Sequence, residues 1–437
     1  MIGRTNAGGG GKTVFPTGIE FTSPPTKTTY NAGENIDLTG IVVTATFSDG
    51  STQDVTSECT FSPASGTVVY ENNDKITANW TWEDTITYSA AQSITVKRVL
   101  TGLSITTQPA KTSYYKGDTL DLTGMVVTAT FSSGASEDVT SGCSFSPAAG
   151  SALSSYGTVT VTVTYNENGV TKTASFMVSV SVKIVTWANG TDEEIVAMVE
   201  AADQGVINLS DYWAVGDIRT VQLSAMSATG VGESHAAQQV DLVLMHAGGY
   251  DLNAAVASGR TKCSFVVGLK DSLTEAGYMN SSNTNSGSWN GSARRTWCNN
   301  VFRNAIPSTL RAIFKQFKTV TAQTYNGSTN QTSVDYFALP AEREIFDARN
   351  YCNQTEYNAL FQFDYYKTAS NRVKKLGKTG TASSWWGRSP YYYNLTNFCN
   401  VNSNGNANNN NANNTNGLAP FGYMEMLRGV PKVKPDS

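Results

Sequence analysis

The sequence predicts a multidomain protein, with two all-β sandwiches in tandem followed by one larger α+β domain. Three observations predict it. Residues 37–63 and 121–147 share 20 of 27 positions at a fixed offset of 84, which marks a duplicated domain. Within each copy a β-branched run, Val42–Phe47 and Val126–Phe131, suits a half-buried strand, and Asp49-Gly50 or Ser133-Gly134 supplies the hairpin turn after it. From Trp187 onward the character changes: six of the eight tryptophans lie there and helical spacing appears.

These signals divide the 437 residues into a flexible Gly-rich arm (1–17), a first sandwich (18–99), a second (100–183), a C-terminal domain (184–429) and a tail (430–437). In the C-terminal domain, Thr191-Asp-Glu-Glu194 reads as a capping box, with Ile195, Met198, Val199 and Ala202 on one face and Gly205 closing the helix. A second helix is expected over 292–304. A third is expected from Pro307, with Leu310, Ile313, Phe314 and Phe317 as its apolar stripe. Strands are expected over 239–245, 264–269 and 336–339.

Charged residues make up 15% of the chain, against roughly 25% in an average soluble protein. That deficit argues against charge-driven disorder, a long coiled coil and a polyanion binder. Net charge is −4, so no attraction to nucleic acid is expected. No apolar run of about 18 residues predicts a membrane span, and Met1–Lys12 lacks the apolar core of a secretory signal. A surface of extracellular character without an export signal fits release by cell lysis, as for a virus particle. Each repeat holds one cysteine, Cys59 or Cys143, so neither carries an internal disulfide. The six cysteines show no CxxC spacing and read as buried, reduced thiols.

The segments Tyr30-Asn-Ala-Gly33-Glu and Tyr115-Lys-Gly117-Asp, each followed by Asp-Leu-Thr-Gly, resemble bacterial Ig-like domains over about residues 18–183. The resemblance implies spacing and display; sugar or protein binding by these modules is the alternative. A second set of anchors follows: Trp187-Ala-Asn-Gly190, Asp211-Tyr-Trp213, Val266-Val-Gly-Leu-Lys-Asp271, Met279-Asn280, Trp289, Arg294, Ala338–Ile345, Trp385-Trp-Gly-Arg388-Ser-Pro390 and Gly417-Leu-Ala-Pro420-Phe. This set resembles a domain-of-unknown-function family that recurs behind Ig-like repeats in phage and prophage structural proteins. Ser288-Trp289 stands where that family often has Gly-Gly-Trp. The "Arg-Ser-Pro" and "Gly-x-x-Pro-Phe" segments are also similar to the C-type-lectin-like fold of phage receptor-binding proteins, which implies that fold for the C-terminal domain.

Chemistry-bearing constellations are sparse. His235 and His246 stand without metal-ligand spacing, so neither a metal nor another cofactor is expected, and His246 reads as a core or edge histidine. Glu342-Arg-Glu344 offers the paired carboxylates of glycoside hydrolysis, against a helix-start salt bridge. Gly8–Gly11 before Lys12-Thr13 ends like a phosphate-binding loop but has no room for the strand that must precede it. No catalytic residue is assigned.

The expected ligand-binding surface is Trp385, Trp386, Arg388, Tyr391, Tyr392, Tyr393 and Asn394, with Asn408 and Asn410 from the segment 401–420, in which ten of twenty residues are Asn. Rigid aromatics with polar tips bury area at low entropy cost and stack on sugars, and each Asn carries a donor and an acceptor. Three readings of the Asn run stand open: a solvated strand-loop-strand, a receptor-facing surface, or a target of adenine-directed diversification, since Asn codons are adenine-rich. The expected function is a non-enzymatic phage virion component whose arm contacts other virion proteins. Its C-terminal domain would bind a host-surface glycan or protein, and the chain is expected to form a homo-oligomer. A purely structural decoration protein and a cell-wall or polysaccharide hydrolase are the alternatives.

Overall fold

The computed structural model describes residues 14–248, 263–323, 326 and 328–424, and the chain divides into two compact units at residue 181. Residues 1–13 of the expected arm, including the Gly-Lys-Thr run, and the tail lie outside the described residues, as does any contact with virion proteins made through them.

The first unit is all β. In the first repeat, Pro16–Ser23, Val42–Phe47 and Thr52–Asp54 form one antiparallel sheet, and Thr60–Ser62, Lys75–Trp82 and Ile86–Ser93 form the other. A short parallel pair, Thr29–Asn31 with Thr95–Lys97, closes the sandwich. The second repeat copies this plan, with Leu100–Thr107, Val126–Phe131 and Ser136–Asp138 facing Ser113–Tyr115, Ser144–Ser146, Gly157–Glu167 and Val170–Ser181. Alternation builds the cores: Val43, Ala45 and Phe47 point inward in one copy, and Val127, Ala129 and Phe131 in the other. The expected turns are present, with Gly50 and Gly134 at φ of +85° and +82°, a region that glycine enters without a Cβ penalty.

The second unit is mostly β as well. Its largest sheet runs Ile218–Leu223, Gln238–Ala247, Phe265–Leu269, Phe421–Met424 and Phe314–Lys315 in spatial order, with Phe337–Ala338 also pairing on Phe421–Met424. A separate sheet consists of Trp385–Pro390, Asn397–Val401 and Ala407–Asn411. The helix Asp192–Asp203 has the expected cap: the Thr191 hydroxyl accepts the Glu194 N–H, and the Glu194 carboxylate accepts the Thr191 N–H. The second expected helix is present as Ala293–Trp297 and Arg303–Ala305 joined by a π-helical stretch, Cys298–Phe302.

The third is different. Helix runs only over Ser308–Arg311, and Phe314 and Phe317 belong to the strands Phe314–Lys315 and Phe317–Ala322. The stripe of large apolar residues at helical spacing overlaps a second pattern, in which Phe317, Thr319 and Thr321 alternate inward. The β-branched run Thr319-Val-Thr321 and pairing with Asn330–Asp335 favour the strand.

Candidate functional site

The strand Trp385–Pro390 is buried along its whole length. Trp385 and Trp386 are 0% exposed, and their indole N–H groups donate to the carbonyls of Arg372 at 2.8 Å and Gly277 at 2.7 Å. Arg388, also 0% exposed, forms a two-pronged pair with Glu344 at 2.5 and 2.8 Å and donates to the Leu339 carbonyl at 2.9 Å. Gly387 between them is closely packed: a Cβ there would meet the carbonyl oxygens of Pro340 at 3.1 Å and Cys399 at 3.2 Å. The structure therefore places Trp385, Trp386 and Arg388 in the core, out of a ligand's reach. Their polar atoms are spent on backbone carbonyls and one carboxylate, as burial demands.

The carboxylates beside them are structural too. Glu342 accepts backbone N–H groups of Asn350, Tyr351 and Cys352 between 2.8 and 3.2 Å, and its own N–H donates to the Ser389 hydroxyl at 2.9 Å. Arg388, rather than the adjacent Arg343, holds Glu344; Arg343 turns to Asp347 at 2.6 Å. Glu342 and Glu344 are 2% and 1% exposed, so neither is presented to a substrate. A third carboxyl, Glu356, joins them through a bond from the Ser389 hydroxyl and one from the Ala322 N–H at 2.7 Å. Burial pushes it up to about 7. The thiols of Cys352 and Cys399 are pushed above their ordinary range by burial first and the Glu342 charge second. All six cysteines are free, but Cys59 and Cys143 are only half-buried.

The histidines are packed side chains. His246 Nδ1 sits 2.8 Å from Asp364 Oδ2, with the rings of Phe361 and Phe363 4.8 and 6.1 Å away. His235 is buried against Trp297, and burial pushes it down to about 4.

What reaches the surface follows Pro390. Tyr393 is 66% exposed and packs edge-on against Tyr391 at 5.6 Å and Tyr392 at 4.9 Å. Tyr391 in turn meets Tyr351 at 5.7 Å, a residue that sequence reading missed because it lies forty positions upstream. The Tyr392 N–H donates to the Tyr351 carbonyl at 2.9 Å, and the Arg349 guanidinium lies 5.9 Å from the Tyr392 ring. Four tyrosines thus form one ridge.

Asn394 shapes the turn below it, its side-chain oxygen accepting the N–H groups of Thr396 at 3.0 Å and Asn397 at 2.9 Å. The Asn run is a β-hairpin: Asn397–Val401 pairs with Ala407–Asn411 around the turn at Asn402–Asn406. Asn410 is used internally, accepting from Asn414 at 2.6 Å and from the Asn411 N–H at 3.0 Å. Asn408 is half-buried opposite Asn400 and makes no side-chain hydrogen bond among the described residues. Beside the hairpin turn lies an open groove of about 500 Å³, lined in part by Asn350, Tyr351, Gln362, Arg372 and Asn406.

Comparison with known proteins finds two domain families in the chain. The family model of the bacterial Ig-like domain (group 3) matches residues 23–68 and 107–180. That of a domain of unknown function (DUF6273) matches residues 266–430, which contain the Tyr ridge and the hairpin. No curated protein matches the sequence. Among solved structures, domains 4–9 of the surface layer protein SbsC align at 15% identity with a TM-score of 0.18, over 58% of this chain and 45% of that one. This chain thus spans less than half of that structure, and at such a TM-score the likeness carries no weight. The chain is a mostly β, multidomain protein in which a bacterial Ig-like domain and a DUF6273 domain are found.

Proposed function

We propose that this chain is a bacteriophage virion protein, made in the host cytoplasm and freed by lysis, whose second unit adheres to a glycan or protein on the host surface. The Ig-like repeats act as spacer. The second unit is read as an α+β, C-type-lectin-like display domain. The phage setting and the lectin likeness rest on the sequence resemblances described above.

The observation that carries the adhesion reading is chemical. Residues 389–424 contain no charged side chain, and they bring an exposed Tyr ridge and an Asn-rich hairpin together at one surface. Tyr supplies rigid amphipathic contact area and Asn supplies paired donors and acceptors, the composition that recognition loops use. Hydrolysis is the weaker reading, because Glu342 and Glu344 are held by backbone N–H groups and by Arg388.

Imaging of intact particles with an antibody against residues 389–424 tests the setting. Label on the particle surface, together with slower adsorption of particles to host cells when purified full chain is added, is the expected result. Label absent from particles, or adsorption unaffected by excess chain, contradicts the proposal; surface label without competition favours a purely structural decoration role.

A further inference from the structure

The groove beside the Asn-rich turn contains a cation without a counter-ion. Arg372 lines it with its guanidinium 5.1 Å from the Phe346 ring, and its Nε is buried with no hydrogen-bond partner among the described residues. Two other charges of the groove are already matched: Lys367 pairs with Asp364 at 2.6 Å, and Asp347 with Arg343 at 2.6 Å. Arg372 forms no salt bridge among the described residues.

Around it stand polar groups that are only partly used. Asn350 and Gln362 spend their amide N–H groups on the carbonyls of Ala348 and Ile345 at 2.9 and 2.8 Å, which leaves their side-chain oxygens facing no protein donor among the described residues. The Tyr351 hydroxyl and the Asn406 amide likewise make no side-chain hydrogen bond there. One wall continues into the ridge through the contact between Tyr351 and Tyr391.

We infer that this groove binds a saccharide carrying one negative charge, with Arg372 on the anion, the amides and the Tyr351 hydroxyl on ring hydroxyls, and the tyrosine wall against the sugar face. A guanidinium offers a planar fork that a carboxylate or phosphate oxygen pair matches. Uncharged acceptors and donors around it suit hydroxyls, and a groove of about 500 Å³ falls in the range that small-ligand sites occupy. The charge comes from a uronic-acid carboxylate or from a phosphodiester of a phosphate-linked sugar polymer. The inference deepens the adhesion reading and rests on it only for the source of the sugar, since the site is tested with free ligands.

Titration calorimetry of the full chain with methyl glucuronide, with glycerol phosphoglucose and with neutral methyl glucoside tests it. Saturable binding of one or both anionic sugars, with the neutral one weaker on the order of tenfold or more, is expected. Which anionic sugar binds more tightly identifies the source. Arg372→Gln is expected to lose that preference at an unchanged thermal midpoint, and Arg372→Lys to keep part of it. If Arg372→Gln lowers the midpoint, Tyr351→Phe serves as the second variant, with a severalfold loss of affinity expected. No binding of any anionic sugar, or equal binding of all three, overturns the site. Cell adhesion that persists while these sugars fail to bind overturns the groove alone. Sugar binding without cell adhesion overturns the adhesion reading instead.

Discussion

Glu356 sits beside Glu342, Arg388 and Ser389 in the buried interior of the second unit, and its raised affinity for a proton has a consequence for stability. A carboxyl that titrates near 7 when folded and near its ordinary 4.5 when unfolded holds its proton more tightly in the fold. Stability from this group is therefore full below about pH 4.5 and is lost as pH rises toward 7. Urea unfolding of wild type and Glu356→Gln across that window should show the variant gaining on wild type as pH rises, by on the order of 3 kcal/mol. Parallel curves contradict this. The comparison also cancels His235, whose folded value near 4 makes stability rise with pH over the same range. Arg388 and Glu344 are the other residue-scale test. Arg388→Met leaves Glu344 buried without its partner and should cost about 3–5 kcal/mol, read from the urea midpoint. A loss under 1 kcal/mol means that the pair is not structural.

At the scale of elements, the two repeats make the same prediction twice. The Tyr30 hydroxyl lies 2.9 and 3.0 Å from the carbonyls of Lys27 and Asp37 and accepts the Asp37 N–H at 3.2 Å. Tyr114 repeats this with Lys111 and Asp121 at 3.0, 2.9 and 3.1 Å. Tyr30→Phe and Tyr114→Phe should each cost about 1–3 kcal/mol, by calorimetric unfolding of the first unit's transition. A cost at one repeat only contradicts their equivalence. Such elements were legible because period-2 alternation, turn glycines and a self-match at an offset of 84 residues agree with one another. The capped helix Asp192–Asp203 was legible for the same reason, since its cap and its apolar face coincide.

The strand Trp385–Pro390 was not. Two indoles and an arginine in a chain of low charge read as a recognition surface, whereas the strand is covered on both faces and buried at all six positions. Gly387 fits that burial, because a Cβ there would lie tightly against the carbonyl oxygens of Pro340 and Cys399. Of the expected site, Tyr391, Tyr392 and Tyr393 reach the surface. Tyr351 and Arg372 come from distant parts of the sequence, and only the fold brings them to the same place.

At the scale of the whole molecule, the low charge of the chain takes two forms. Ser and Thr line the outer strand faces of the first unit, as in the half-buried Thr44, Thr46, Thr128 and Thr130, while Asn gathers in one hairpin of the second. The first unit repeats one sandwich and the second gathers uncharged Tyr and Asn side chains in residues 389–424, which the proposed function reads as spacer and display. The most direct test of that central claim is the equilibrium binding of fluorescently labelled full chain to host cells, comparing wild type with Tyr391→Ala/Tyr393→Ala. The account predicts saturable binding that falls on the order of tenfold or more in the double variant at an unchanged thermal midpoint. Equal binding by both proteins, or none by the intact chain on any host strain, contradicts it.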